Sequence, residues 1–453
     1  MAQDTDVVVI GMGVGGEHVA ERLAEAGLDV VGVEAELVGG ECPYWACIPG
    51  KMMIRAGNLL AEARRIPGIA GQSEVVADFA PVAARIRDEA TDDWNDQVAV
   101  DRFTGRGGHF VRGRARLTGP GRVEADGQVF AARRGVVLAT GSRPQIPPVP
   151  GLGQVPYWTN RQAIAAKQPP ASLLVLGGGA VGVELAQAFA RFGTAVSVVE
   201  AMEGLLPAEE PEAGRLLADV LRREGIAVRA GARAAGVRHA GDTFRLTLDG
   251  AEELTGQHLL VATGRRADLT RLGVESVGLD PHARGLPVDR QMRAADGVWG
   301  LGDLTGRGAF THVAMYQAEI AVRDVLGEPG PDADYRALPR VTFTDPEVGS
   351  VGLTEHAARE RGLRVRTGIA QVPSSARGWI HKAGNDGVIK LVEDAERGVL
   401  LGATSVGPAG GEVLYGLAVA VHAEVPVDRL RHMIYDYPTF HRAMEDALAD
   451  LVR

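Results

Sequence analysis

Cys42 and Cys47 are the only cysteines in a chain of 453 residues, and both fall in GECPYWACIPGK, residues 40–51. A pair this close is not used to staple distant parts of a fold. Two neighbouring thiols can carry a reversible disulfide, or they can ligate a metal. The metal reading is the weaker one, because a structural zinc site takes about four ligands and no histidine or second cysteine pair stands nearby. Residues i and i+5 do not share a face of a regular helix. A bridge between them therefore requires a distorted first turn, and Pro43 is consistent with one, since proline is tolerated there. A helix N-terminus also lowers a thiol pKa and favours the reactive thiolate.

Such a pair needs a partner for its electrons, and the glycines point to one. Residues 6–16, DVVVIGMGVGG, are a β-branched apolar run followed by Gly11, Gly13 and Gly16 at G-x-G-x-x-G spacing, with HVAERLAEAG reading as a helix behind them. Strand, tight glycine turn and helix N-terminus make a phosphate cradle. The next strand, DVVGVE, ends at Glu34, where an acid about 20 residues on takes ribose hydroxyls. The construction returns in LLVLGGGAVGVELAQAFARFGTAVSVVE, with Gly177, Gly179, Gly182 and Glu200 in the same roles. Two dinucleotides are expected. Ala201 and Met202 follow Glu200, and no arginine is placed to meet a 2′-phosphate, which favours NAD over NADP at the second site.

Two echoed segments set the layout. VVLATGSRP (136–144) and LLVATGRRA (259–267) are short apolar strands ending in Ala-Thr-Gly, at Gly141 and Gly264, where the chain can cross between domains. The second fingerprint lies between them, so one nucleotide domain is inserted into the other. GVWGLGDLTG (297–306) reads as a strand ending at Asp303, returning to the first domain to hydrogen-bond a cofactor hydroxyl.

Composition fits a soluble, multidomain α/β protein: 45% hydrophobic, 23% charged, too long for one core. The net charge of -10, without a basic cluster, argues against nucleic acid. No apolar run is long enough to span a bilayer, and MAQDTDVVVIG leads straight into a strand. The expected location is the cytoplasm, where structural disulfides are rare and a close cysteine pair is more often redox-active or metal-binding.

Taken together, these motifs resemble those of the flavoprotein pyridine nucleotide-disulfide oxidoreductases, the family of dihydrolipoamide dehydrogenase, glutathione reductase and mercuric reductase. GGECPYWACIPGK is similar to a family pattern like GGTCxNxGCxPSK, and PRVTFTDPEVGSVGLTE (339–355) resembles the opening of the family's C-terminal dimerisation domain. The resemblance implies FAD in the first site, NAD(P)H in the second, a homodimer, and a redox disulfide between Cys42 and Cys47. It implies that Cys47 contacts the flavin as a charge-transfer thiolate while Cys42 meets substrate. Lys51 matches a lysine near the flavin, and Glu184 matches its acidic partner. The implied layout is an FAD domain at 1–147 and 265–333, an NAD domain at 148–264, and an α+β interface domain at 334–453.

The chain departs from the pattern near its end. The family's disulfide reductases carry His-x-His-Pro-Thr-x-x-Glu, supplied across the dimer, whose second histidine is the acid/base. Here the run is Tyr435-Asp436-Tyr437-Pro438-Thr439-Phe440-His441-Arg442. Tyr437 replaces the base and Arg442 its carboxylate. With a pKa of about 10, a tyrosine donates a proton or hydrogen bond near neutrality but is a poor general base. His441 is a candidate substitute four residues on. Tyr44 and Trp45 are bulkier than the family's residues between the cysteines; packing is favoured over a role in lining the approach to the disulfide. His312 falls where many relatives have proline and is not expected to be catalytic. The chain ends in MEDALADLVR, without the extra C-terminal cysteine pair of mercuric reductases or a thioredoxin-reductase-like relay, so dedicated mercury reduction is not expected.

The expectation is an NADH-dependent enzyme acting through Cys42 and Cys47 on a small disulfide, dithiol or other small acceptor, with no metal. Two rivals are carried with it: a quinone, dye or metal-ion reductase, or an oxidase, that needs no histidine base; and a flavoprotein redox sensor.

Overall fold

The computed structural model describes residues 2–451; residue 1 and residues 452–453, at the ends of the assigned domain ranges, lie outside the described residues. The chain divides into two units, the first comprising residues 1–50, 83–145 and 264–334, the second 51–82, 146–263 and 335–453. The chain passes between units at 50/51, 82/83, 145/146, 263/264 and 334/335; the third crossing lies just past the first echoed segment, and the fourth falls inside the Ala-Thr-Gly of the second.

The first unit is built on a mixed sheet with the path Arg293–Ala295, Val298–Gly300, Gln128–Leu138, Gln3–Ile10, Val30–Glu34, His109–Arg112. Gln3–Ile10 runs parallel to both its neighbours. Strands paired on both sides and covered on both faces need apolar side chains throughout, and Val7, Val8 and Val9 are fully buried. The helix Val14–Glu25 follows the first glycine turn, and Thr311–Leu326 lies against it. Gly15 allows that approach: a Cβ there would stand 3.2 Å from the Cβ of Ala314.

The second unit holds a parallel sheet in the order Ala227–Ala230, Ala195–Glu200, Ser172–Leu176, His258–Val261, with the helix Ala180–Arg191 after its glycine turn. A three-stranded antiparallel sheet spans Ala234–Ala240, Thr243–Leu248 and Glu253–Gly256. Its C-terminal part is a five-stranded antiparallel sheet, Pro339–Thr342, Glu347–Gly352, Val399–Gly407, Val388–Asp394, Val365–Gln371. The helices Gly410–His422 and Ala443–Asp450 cover it around Leu391, Leu414, Leu417 and Leu448.

One element is shorter than the sequence suggests. The strand Val298–Gly300 stops before Asp303, which lies in a 3-10 turn, Gly302–Thr305, because Gly302 takes φ +71° and bends the chain there.

Candidate active site

The two glycine turns are built alike. Gly11 and Gly177 have φ of +91° and +115°, a region costly for any side chain. A Cβ on either would collide with the Ala-Thr-Gly segment of its own unit: 2.6 Å from Ala139 O, 2.4 Å from Ala262 O. Gly16 and Gly182 let helix pack on turn, since a Cβ would stand 1.9 Å from Gly11 O and 2.1 Å from Gly177 O. The middle glycines differ in kind. Around Gly179 a Cβ would meet nothing within 4 Å, and at Gly13 only Gly40 Cα at 4.0 Å. Both are helix N-caps without a side-chain cap, leaving first-turn N–H groups to a ligand.

The strand-end acids repeat the parallel. Glu34 accepts the N–H groups of Met12 at 2.7 Å and Glu36 at 2.8 Å. Glu200 accepts those of Gly178 at 2.6 Å and Met202 at 2.7 Å. Burial pushes the Glu34 carboxyl up, and the two amides oppose that shift. Each unit thus has an open middle glycine, an uncapped helix N-terminus and an acid beside the turn, a donor set that fits a dinucleotide.

In the first unit the cysteine segment begins on that turn. Gly39 N–H donates to Met12 O at 2.7 Å, and a Cβ on Gly40 would stand 2.9 Å from Gly13 Cα. Next come a short helix, Glu41–Trp45, and a break at Ala46 with φ -141° and ψ -90°. The longer helix Cys47–Arg65 follows. Ala46 sits outside the main helical and extended regions, so the expected distortion is a complete interruption between the cysteines. Both thiols are half-buried. Cys47 Sγ lies 3.4 Å from Thr311 Oγ1, at the start of the helix Thr311–Leu326.

Asp303 accepts the Ser142 hydroxyl at 2.5 Å. Arg265 donates to Ser142 Oγ at 2.8 Å and Ser142 O at 2.7 Å, and its guanidinium lies 3.3 Å from Glu41. Gly141 and Gly264 beside them have open space where a Cβ would be. Ser142 and Arg265 stand in the two echoed segments, which was the signal that could have marked them. Thr311, so far from Cys47 in sequence, left none.

In the second unit Lys51 meets Glu184 at 2.8 Å. The other Glu184 oxygen accepts Phe343 N–H at 2.7 Å, and the Lys51 ammonium stands 4.8 Å above the Phe343 ring. Tyr437 is 71% exposed, with the Arg442 guanidinium 5.5 Å from its ring. His441 is exposed as well. Of the two aromatics between the cysteines, Tyr44 is buried and Trp45 stacks on Trp94 at 5.4 Å. His312 stacks on Phe310 at 5.2 Å.

Fold and site together define a flavin- and nicotinamide-dependent redox enzyme. Residues 5–318 match the pyridine nucleotide-disulphide oxidoreductase family model, and residues 338–448 match that family's dimerisation domain. Among curated proteins, the chain is 34% identical to a dihydrolipoyl dehydrogenase of Thermus scotoductus, over 98% of this chain and 96% of that one. It is 33% identical to a mercuric reductase of Streptomyces lividans, over 97% and 94%. Among solved structures, LpdA from Mycobacterium tuberculosis superposes with a TM-score of 0.85 at 27% identity, covering 99% of each chain. The chain belongs to the pyridine nucleotide-disulphide oxidoreductases, enzymes that use FAD and a pyridine nucleotide. Among the described residues no helix is long and apolar enough to cross a membrane.

Proposed function

We propose that this chain is a cytoplasmic, homodimeric NADH-dependent enzyme. It passes electrons through Cys42 and Cys47 to a small disulfide, or in reverse from a small dithiol, or to another small acceptor. The observation that carries the reading is that the segment bearing both thiols starts on the first glycine turn and is broken between them. FAD, when bound in the first cradle, supplies the two-electron exchange between nicotinamide and disulfide. Gly13, Glu34, Gly141 and Asp303 would hold it, and residues 1–147 with 265–333 form its domain. Gly179, Glu200 and Gly264 would serve the nucleotide, whose domain is 148–264, and residues 334–453 provide the subunit interface. Preference for NADH is supported by Glu200 and by the run 201–209, which has no Lys or Arg to meet a 2′-phosphate. Cys47, beside Thr311, takes the flavin side, and Cys42 exchanges with substrate. Lys51 and Glu184 act as a charge pair on the flavin side.

A second reading is favoured by one observation: Tyr437 and Arg442 stand where the family's disulfide reductases have a histidine and its carboxylate. A quinone or a thiol-reactive metal ion needs no such base. Turnover of NADH with 5,5′-dithiobis(2-nitrobenzoate), lipoamide, menadione and Hg²⁺ in wild type, Cys42→Ser and Cys47→Ser separates the readings. The proposal expects disulfide turnover to fall at least about a thousandfold in both variants, as when an essential nucleophile is lost. Menadione turnover surviving both substitutions, with no wild-type activity on the disulfides, would sink it.

A further inference from the structure

The first unit contains a strained segment that the proposed chemistry has not used. Asp92, Asp93 and Trp94 are consecutive non-glycine residues with φ of +47°, +52° and +58°. Asp tolerates this left-handed region; for a residue as bulky as Trp it is an outlier. Such conformations persist where surrounding contacts over-determine them, and they cluster at functional sites. A π-helical turn, Ile86–Ala90, leads into the segment, itself an arrangement frequent near functional sites. Thr91 then caps that turn, its hydroxyl donating to Ile86 O at 3.0 Å and its oxygen accepting Trp94 N–H at 3.4 Å.

From there the chain reaches the segment around Cys42. The Trp94 indole stacks on Trp45 at 5.4 Å with planes 22° apart, and its Nε1–H donates to Tyr44 O at 3.3 Å. Two residues on, the buried Asp96 accepts Val38 N–H at 2.6 Å and is held by Arg112 at 2.6 Å. Residues 91–96 therefore grip the chain on both sides of Cys42, at 38 and at 44–45. The second grip falls directly before the interruption at Ala46.

We propose that Trp94 is a positioning residue for the Cys42 and Cys47 couple, its indole clamping Trp45 so that the helix break at Ala46 is held and the two thiols stay matched for disulfide formation. This rests on the reading of those cysteines as the redox centre. A held geometry raises the effective concentration of one thiol at the other, so loss of the clamp shifts the couple toward the dithiol. The exchange is balanced by dithiothreitol: two electrons and two protons pass from it to the bridge, giving two protein thiols and oxidised dithiothreitol.

The test is the equilibrium of the purified flavoprotein with dithiothreitol redox buffers, quenched in acid, alkylated and read by mass, in wild type, Trp94→Ala, Trp94→Phe, Trp45→Leu and the Trp45→Leu/Trp94→Ala double variant. Trp94→Ala and Trp45→Leu should each shift the equilibrium about tenfold toward the dithiol, about 30 mV. The double variant should shift no further, since one interaction is lost. Trp94→Phe, which keeps a stacking ring, should remain within about threefold of wild type. If Trp94→Ala is not recovered folded, Trp45→Leu decides alone. Single variants within threefold of wild type, or shifts that add in the double variant, overturn the clamp and leave the redox reading standing. A wild type that forms no Cys42 to Cys47 bridge in any buffer overturns both.

Discussion

Glu184 uses both carboxylate oxygens on groups far away in sequence, Lys51 and the Phe343 amide, and its side chain is only 10% exposed. Removing it strands a backbone donor, so Glu184→Ala should cost about 1–3 kcal/mol in denaturant unfolding. Lys51 is 36% exposed, and its pairing contributes less than about 1 kcal/mol to stability. Lys51→Met should therefore unfold near the wild-type midpoint. If the pair acts on the flavin side, the same variant should lower turnover with NADH at least about tenfold, a loss of about 1.4 kcal/mol at the barrier. Normal turnover in Lys51→Met would make the pair purely structural. The Lys51 to Glu184 match was legible from motif position. The Phe343 amide was not, because a backbone donor has no residue type to recognise.

At the scale of elements, each glycine turn pairs a glycine facing open space with one packed against backbone. Gly179 has φ -75°, which any residue adopts, and open room at its Cβ. Gly179→Ala should leave stability within about 0.5 kcal/mol of wild type and raise the KM for NADH about tenfold or more, because the methyl occupies the approach of the pyrophosphate. Gly182→Ala puts its Cβ 2.1 Å from Gly177 O and should destabilise by about 1–3 kcal/mol. Paired kinetics and melting curves of the two variants check the assignment; equal effects on both readouts would contradict it. The strand-turn-helix order and both acids could be read from sequence because local pattern sets them. The stacking of Trp94 on Trp45 could not, since it depends on a left-handed turn whose residues, Asp92 to Trp94, lack the glycine that would announce it.

Across the second unit, Lys390 is a buried cation held by three acids: Glu210 at 2.8 Å, Glu355 at 2.8 Å and Glu212 at 3.2 Å. It ties the parallel-sheet region to the C-terminal five-stranded sheet. Burial alone would pull the Lys390 ammonium down, but the hydrogen bonds to Glu210 and Glu355, together with the charges of Glu210 and Glu212, outweigh it and leave its pKa raised. Its stabilisation is fully present below the unfolded lysine value, about 10.4, and is lost as pH rises through the raised folded value. Glu355 is held below its usual range, chiefly by the bond to Lys390. Its share is present above the unfolded glutamate value and lost as pH falls through the lowered one. Lys390→Met leaves the buried Glu210 with the Glu355 N–H but without its cation, and should cost about 3–5 kcal/mol at pH 8. The deficit should shrink as pH falls through the lowered Glu355 value, because wild type then loses the share that Glu355 draws from Lys390. A deficit independent of pH would contradict that coupling.

The flow of electrons is also a property of the whole molecule, and one spectrum addresses it. Purified wild type, Cys42→Ser and Cys47→Ser are titrated anaerobically with NADH while absorbance is followed. The account predicts that wild type gains a long-wavelength absorption band before the flavin bleaches, that Cys47→Ser never shows the band, and that Cys42→Ser displays it without needing NADH. Direct bleaching of wild type with no band, unchanged by either substitution, would take Cys42 and Cys47 out of the electron path.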